Sequence, residues 1–235
     1  MSSHLESMLD RAEELLRELE NEYENCLKDK NVTERAKNLT HEILEKLRSA
    51  LDHTMRIAWE KCVAPNLSEH DKERARVYFP IASNLKAFCS TLGRGFMADL
   101  DKINKNLYDF LLRKQPFTSG ENQWLDYLGK IAAEGKHVRL APQKRMEKIG
   151  RISVSGRGGE VSWDPQSVKF GGEVDVLGAP IDPSTQRIIP TPGVTEQVEI
   201  WVSFIFEGYG VNALQFCKEA CQKTRMLINE MLRVI

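Results

Sequence analysis

Apolar residues recur at alternating spacings of three and four through the first 62 residues, and this helical period constrains the fold more than any other feature. The seam of the first predicted helix consists of Leu5, Met8 and Leu9, Ala12, Leu15 and Leu16, Leu19, Tyr23, and Cys26 and Leu27. Such a seam is typical of a long helix in a bundle or coiled coil. Ser3 and Glu6 have the spacing of a capping box that would start this helix.

A second long helix is predicted to run from a repeat of that box at Asn31 and Glu34 to about Cys62. Only the short stretch "KDKN" separates the two helices. Because so short a connection reverses the chain at once, the two helices must lie antiparallel. Shorter helical patterns follow over about 83–93, 98–113 and 119–134.

After residue 140 the pattern changes to that of strands. "GRISVSGRGGEVSW" predicts a hairpin around a glycine-rich turn, "EVDVLG" predicts a strand, and "EQVEIWVSFIFE" predicts the strongest strand. An amphipathic helix over 212–234 is the nearest element that could cover the apolar strand face.

The sequence therefore predicts an α+β protein with two parts. An antiparallel helical bundle would occupy residues 1–140. A small antiparallel β-sheet covered by the C-terminal helix would form a lobe over 141–235, either separate or packed on the bundle as one unit.

Composition narrows the classes of function. The chain has 33 Lys and Arg against 34 Asp and Glu, so its net field gives no reason to expect binding to nucleic acid or an anionic membrane. It has no secretory pattern at its start and no run of roughly eighteen apolar residues. The five cysteines form no CxxC pair, which argues against disulfides and zinc. We expect a soluble cytoplasmic protein without membrane association, metal or other cofactor.

The stretch "EKLRSALDHTMRIAWEK" places an arginine and a histidine in the most apolar part of the second helix. At about 100° per residue, Arg48 and His53 diverge by about 140° and flank the stripe of Leu47 and Leu51 from opposite sides. They could meet at one phosphate only if Arg48 reached along the surface or if a second helix or subunit supplied its own copy, so a shared site here predicts a homodimer. Alternatively, both are ordinary solvated residues beside a core stripe.

Arginine and histidine are suited to RNA cleavage without a metal ion. Histidine titrates near neutrality, so His53 could take the ribose 2′-hydroxyl proton or protonate the leaving oxygen. The planar guanidinium of Arg48 could hold the phosphate as charge develops on it. Asp52, one turn after Arg48, could fix that guanidinium, or the two could form an ordinary surface salt bridge.

The segment "RSALDH" is similar to the R-x4-6-H pattern of the HEPN superfamily, the helical bundles found in many bacterial toxins and antiviral nucleases. The resemblance implies a dimeric bundle with a metal-independent ribonuclease site that contains Arg48 and His53 of both subunits. The chain also resembles bacterial and phage proteins of unassigned activity that share three segments and a β-rich tail. Those segments are "LRSALDH" at 47–53, "FPI" at 79–81 and "GKHVR" at 135–139.

The "GKHVR" segment has two interpretations. Lys136 and His137 could face the same cleft as Arg48 and His53, where two histidines would allow separate acid and base roles. Alternatively, Gly135 ends a helix whose dipole favours the cations that follow it.

A basic cluster begins at the same place and comprises Lys136, Arg139, Lys144, Arg145, Lys148 and Arg151. Lysine and arginine that neutralise phosphates supply most non-specific nucleic-acid affinity, so RNA is a candidate partner. However, no aromatic residue that could stack on bases follows until Trp163, and charges on an edge strand also limit aggregation. Both interpretations stay open.

Two functions remain. The first is a metal-independent endoribonuclease of HEPN-like type in toxin biology or antiviral defence, which acts as a dimer and is restrained by an antitoxin or other protein partner. Its catalytic residues would be Arg48, Asp52, His53 and His137. The second is a non-catalytic interaction or assembly protein that uses its long N-terminal helices, in which Arg48 and His53 have structural roles.

Overall fold

A computed structural model describes residues 3–29, 31–134, 143–156 and 158–235. These residues form an α+β protein, which confirms the predicted class. The chain divides into two compact units. The helical unit comprises Met1–Lys144 and Phe204–Ile235, and the β unit comprises Arg145–Ser203.

The described part of the helical unit contains eight α-helices and two short 3-10 helices. The α-helices are α1 (Ser3–Asp29), α2 (Glu34–Cys62), α3 (Glu69–Arg74), α4 (Leu85–Arg94), α5 (Leu100–Ile103), α6 (Lys105–Arg113), α7 (Gln123–Glu134) and α8 (Ala213–Leu232). The 3-10 helices are Ala64–Asn66 and Gly120–Asn122.

Helices α1 and α2 form the antiparallel pair that the sequence predicts. His4 near the start of α1 contacts His53 in α2, and Cys26 near the end of α1 contacts Thr33 at the start of α2. Most of the predicted seam of α1 is buried, but Met8 and Leu16 are half-buried and Leu27 is 45% exposed. Helix α8 packs against both α1 and α2, so the C-terminal helix belongs to the helical unit.

Arg225 of α8 joins the two ends of the chain through three ion pairs. Its guanidinium donates to Glu6 at 2.7 Å, to Asp10 at 2.8 Å and to Glu13 at 2.8 Å, all on α1. Positions three and four apart share one face of a helix, so the three carboxylates surround one planar fork. This contact fixes α8 along the first half of α1.

Two helix boundaries differ from the sequence prediction for local reasons. The N-cap of α2 is Thr33 instead of Asn31, and the Thr33 hydroxyl accepts from the Ala36 amide at 3.1 Å. An N-cap must directly precede the first helical turn, and Asn31 lies too early for this. The helix predicted over 98–113 is divided at Asn104, whose side chain caps α6 by accepting from the Leu107 amide at 3.0 Å.

The strands form two three-stranded sheets instead of the one sheet predicted. Their bounds are β1 (Gln143–Gly156), β2 (Gly159–Trp163), β3 (Asp175–Val176), β4 (Ala179–Asp182), β5 (Arg187–Ile188) and β6 (Thr195–Phe206). One sheet has the order β2-β1-β6 and the other β3-β4-β5. The predicted glycine-turn hairpin is β1 and β2, with Gly156 opposite Gly159.

The predicted strand "EVDVLG" contains the short strand β3, after which the chain turns back as β4 of the second sheet. The chain reverses at Leu177 and Gly178, whose φ angles are +53° and +81°. Two successive positive φ angles are the signature of a tight hairpin turn. Leucine rarely adopts this conformation, so the sequence gives only half of the usual turn signal.

The β unit has a hydrophobic core of its own. Ile152, Val154 and Trp163 of the first sheet pack with Val176 and Ile181 of the second, and all five side chains are buried. The two sheets thus cover each other's apolar side chains. The C-terminal helix, predicted as the cover of a sheet, contacts the last residues of β6, where the ring of Phe206 lies 6.1 Å from that of Phe216 in α8.

All five cysteines are free thiols, and three are buried. Burial raises the pKa of Cys221 to about 12 and raises that of Cys217 well above its usual value. Because the thiolate is the reactive form, we expect Ellman's reagent to modify exposed Cys89 first and Cys62 more slowly. The remaining three thiols should react only after denaturation, and rapid labelling of all five in the native protein would contradict this packing.

We expect Arg225→Ala to lower the free energy of unfolding by about 2 kcal/mol, because three carboxylates of α1 lose a shared partner. Urea unfolding would measure this change. Lys218→Ala, which removes one exposed ion pair to Glu20, is the matched control and should cost less than about 0.5 kcal/mol. The Arg225 effect should shrink as salt is added, and equal losses in both variants would contradict the role of Arg225.

Candidate functional site

A cleft in the helical unit has a volume of about 950 Å³ and lies against the predicted Arg48 position. Its walls are helices α2, α4 and α7, residues of the extended segment 75–82, and Ser83, which follows that segment. Its charged lining residues are Glu42, Glu45, Lys46, Arg48, Asp52, Arg94, Asp126 and Lys130. Acidic and basic residues are equal in number in this set, so the cleft as a whole is not a basic pocket.

Arg48 and Asp52 hold the backbone of Phe79 from both sides. Nη2 of Arg48 donates to the Phe79 carbonyl at 2.9 Å, and the Phe79 amide donates to Oδ1 of Asp52 at 2.8 Å. The two side chains are also paired with each other at 2.9 Å. They are about three-quarters buried or more, so these bonds satisfy peptide groups that water reaches poorly.

Gln115 completes the same arrangement a few residues further along. Its side chain is fully buried, accepts from the Ala82 amide at 3.0 Å, and donates to the carbonyls of Pro80 and Leu111 at 3.0 and 2.9 Å. Side chains therefore bond the backbone of the extended segment at Phe79, Pro80 and Ala82. Two of the three segments that carry the wider resemblance, 47–53 and 79–81, form one hydrogen-bonded structure.

His53 occupies a different environment from Arg48. Its ring lies edge-on to the ring of His4, with centroids 5.1 Å apart, and it is not among the residues that line the cleft. His4 was not predicted from the sequence as a neighbour. An antiparallel pair of helices that turns near residue 30 places the start of α1 opposite the residues numbered in the fifties, and this is the signal that could have found it.

Within one chain, the structure brings Arg48 and Asp52 together and leaves His53 in a separate contact. The other predicted catalytic residue, His137, lies outside the described residues, as do Lys136 and Arg139. The described part of the chain thus provides a bonded arginine–aspartate pair and, elsewhere, a pair of histidines.

The remaining predicted phosphate ligands lie on β1 and are exposed. They are Lys144, Arg145, Lys148 and Arg151. Arg145 forms an ion pair with Glu147. Asp164 lies near Lys148, and its pKa is lowered by the Gln166 amide and Ser167 hydroxyl, with a further contribution from Lys148. Acidic neighbours therefore offset part of the positive charge on this strand.

No family model, curated protein or solved structure matches this chain. In the part of the chain that the structure describes, no helix has the length and apolar character that a bilayer span requires. The same residues contain no group of three or more His, Cys, Asp or Glu side chains that could hold a metal ion.

We expect Arg48→Ala and Asp52→Ala each to lower the free energy of unfolding by about 2 kcal/mol, because each leaves a backbone group of Phe79 without its partner. The double variant should lose less than the sum of the two, because the residues share one set of bonds. Urea unfolding would measure all three. His53→Ala should change stability by less than about 0.5 kcal/mol. Equal stability of Arg48→Ala and His53→Ala would show that these bonds do not hold the segment.

Proposed function

We propose that this protein is a non-catalytic interaction protein that binds its partner through the cleft of the helical unit. One observation carries the proposal: Arg48 and Asp52 bond to the Phe79 backbone, while His53 contacts His4 outside the cleft. These contacts explain Arg48, Asp52 and His53 of α2 without a substrate.

The cleft lining is chemically mixed in a way that suits a protein or peptide surface. Glu42 and Lys46 are exposed charges of opposite sign, whereas Ile81, Gly129 and Ala133 supply apolar contact area. Binding sites for organic groups combine apolar lining with a few polar groups, and a volume of about 950 Å³ is sufficient for several side chains.

The long N-terminal helices support this function as a scaffold. The apolar seam of α1 is buried against α2 and α8, so it is already occupied within the chain. The opposite face of α1 is exposed and polar, with Asp10, Arg11, Glu14 and Arg17 among its residues. A partner that binds through apolar contact therefore finds more suitable chemistry in the cleft than along α1.

A metal-independent endoribonuclease of HEPN-like type is the second candidate. It is favoured by the position of Arg48, whose guanidinium is held at the cleft wall beside exposed Ser49. Arginine has five N–H donors, and the bonds of Arg48 to Phe79 and Asp52 both use Nη2. In this candidate, a second subunit supplies the histidine to the arginine of the first, and toxin biology or antiviral defence is the setting.

The two candidates predict different results with RNA. We expect a mixed RNA pool to stay intact in chelator when incubated with the wild-type protein, and His53→Asn and His137→Asn to behave in the same way. Arg48→Ala is a poor probe of catalysis, because it also removes the bonds to Phe79. Arg48→Lys keeps the charge, and its folding should be verified by circular dichroism before use.

A different set of results would support the ribonuclease. Cleavage in chelator that is lost in His53→Asn and in folded Arg48→Lys, and partly restored when the two inactive variants are mixed, would identify a site shared between subunits. That outcome would overturn the non-catalytic proposal and establish the ribonuclease. Cleavage that survives in both variants would point to a contaminant, which a second purification would remove.

A further inference from the structure

Two arginines and two aromatic residues lie on one surface of the helical unit. We call Arg76, Tyr78, Arg94 and Phe96 the arginine–aromatic surface. The Arg76 amide donates to the Arg94 carbonyl at 2.9 Å, which brings the segment after α3 against the turn after α4. Tyr78 and Arg94 also line the cleft, so this surface is continuous with it.

The extended chain after α3 alternates between outward and inward residues. Arg76 and Tyr78 are exposed, whereas Val77 is half-buried and Phe79 is fully buried. Successive side chains of an extended backbone point to opposite sides, so Arg76 and Tyr78 share the outward side. Tyr78 is 54% exposed, which leaves a large part of an aromatic residue open to a ligand.

Phe96 is displayed by a helix-ending turn that normally requires glycine. The Met97 amide donates to the Leu92 carbonyl at 3.0 Å, and the Phe96 amide donates to the Gly93 carbonyl at 3.1 Å. These two bonds define a Schellman motif with Phe96 at the left-handed position, where its φ is +56°. A bulky residue at positive φ is a conformational cost that glycine avoids.

The core beneath this turn maintains the unfavourable conformation. Nε1 of buried Trp59 donates to the Gly95 carbonyl at 2.7 Å, and Met97 and Leu92 on either side of the turn are buried. Phe96 itself remains 37% exposed. A residue in a strained backbone conformation persists only when its surroundings fix it, and such residues are concentrated at functional sites. Here the strained turn keeps an aromatic ring at the surface.

Among the residues that the structure describes, the two arginines of this surface have no ion-pair partner. Arg76 and Arg94 are exposed, and neither forms a salt bridge with any residue that the structure describes. The nearby cleft acids Asp52 and Asp126 are each bonded to a cation, Asp52 to Arg48 at 2.9 Å and Asp126 to Lys130 at 2.7 Å. The acids Glu42 and Glu45 lie earlier on α2, and they would direct an anionic ligand away from that end of the cleft.

We propose that the arginine–aromatic surface binds single-stranded nucleic acid. Phosphates would contact Arg76 and Arg94, and unpaired bases would stack on Tyr78 and Phe96, which is the combination that single-strand binding uses. Paired bases are stacked within a duplex and cannot reach these rings. The inference goes beyond the proposed function, because it assigns a second ligand, different from the protein partner, to a surface beside the cleft, and it is independent of whether RNA is cleaved.

The test uses a fluorescently labelled oligothymidylate of about 12 nucleotides, within the usual range of single-strand sites, and measures anisotropy at low salt. DNA lacks the 2′-hydroxyl that ribonuclease cleavage needs, so failure of binding and failure of the ribonuclease candidate remain distinguishable. We expect Tyr78→Ala and Phe96→Gly each to weaken binding about fivefold or more. Arg76→Ala and Arg94→Ala should each weaken binding and reduce its salt dependence by about one counterion.

Phe96→Gly separates binding from folding. Glycine accepts the left-handed conformation, so the melting temperature should stay the same or rise while affinity falls. Met226→Ala and Arg17→Ala are matched controls, because both residues are exposed and lie on α8 and α1, and both variants should bind as the wild type does.

Three outcomes would overturn the inference. The first is no binding by the wild-type protein at low salt. The second is binding that survives in Phe96→Gly and Tyr78→Ala but is lost when Lys144, Arg145 and Lys148 are changed together to alanine, which would assign the nucleic acid to β1. The third is binding of phosphatidylserine vesicles, but not of the oligonucleotide, in a manner that depends on Tyr78 and Phe96, which would make the surface a membrane contact.

Discussion

The extended segment from Ala75 to Ala82 runs without a strand partner among the described residues, so its buried peptide groups need other partners. An unpaired buried amide or carbonyl costs about as much as a lost hydrogen bond, and Arg48, Asp52 and Gln115 remove that cost at Phe79, Pro80 and Ala82. The segment forms part of the cleft wall and leads into α4. The cleft, the direction of Tyr78 and the turn at Phe96 all depend on how it is held.

Because the segment depends on Arg48 and Asp52, these residues, which resemble a catalytic motif, have a structural role. An arginine and an aspartate one turn apart are also the pair needed to bond a carbonyl and an amide of one residue, and at Phe79 they do so. Polar residues that hold backbone in place can be as specific in identity and spacing as those that act on a substrate. Arg48 also lines the cleft, so the structural role and a ligand-binding role are compatible.

Arg225 and Phe96 have opposite effects on the stability of the helical unit. Arg225 gathers three carboxylates of α1 and stabilises the contact between the two ends of the chain. Phe96 does the opposite, because it occupies a left-handed position that glycine would adopt at lower cost. Arg225 is thus explained by the fold, whereas the exposed ring of Phe96 is the one for which we propose a ligand.

The sequence by itself determined the α+β class, the antiparallel α1–α2 pair, the C-terminal helix and the β1–β2 hairpin, because each depends on local periodicity or a glycine-rich turn. The sequence did not predict the reversal at Leu177, because the residue with positive φ there is a leucine and not the glycine that usually indicates such a turn. The helical wheel predicted that Arg48 and His53 point to different sides of α2. A helical wheel does not predict which residues of other elements they contact. Only the tertiary structure decided that the backbone of Phe79, 31 residues beyond Arg48, lies on one side and His4 on the other. Long-range contacts of this kind depend on how several helices pack together, and no local pattern encodes that.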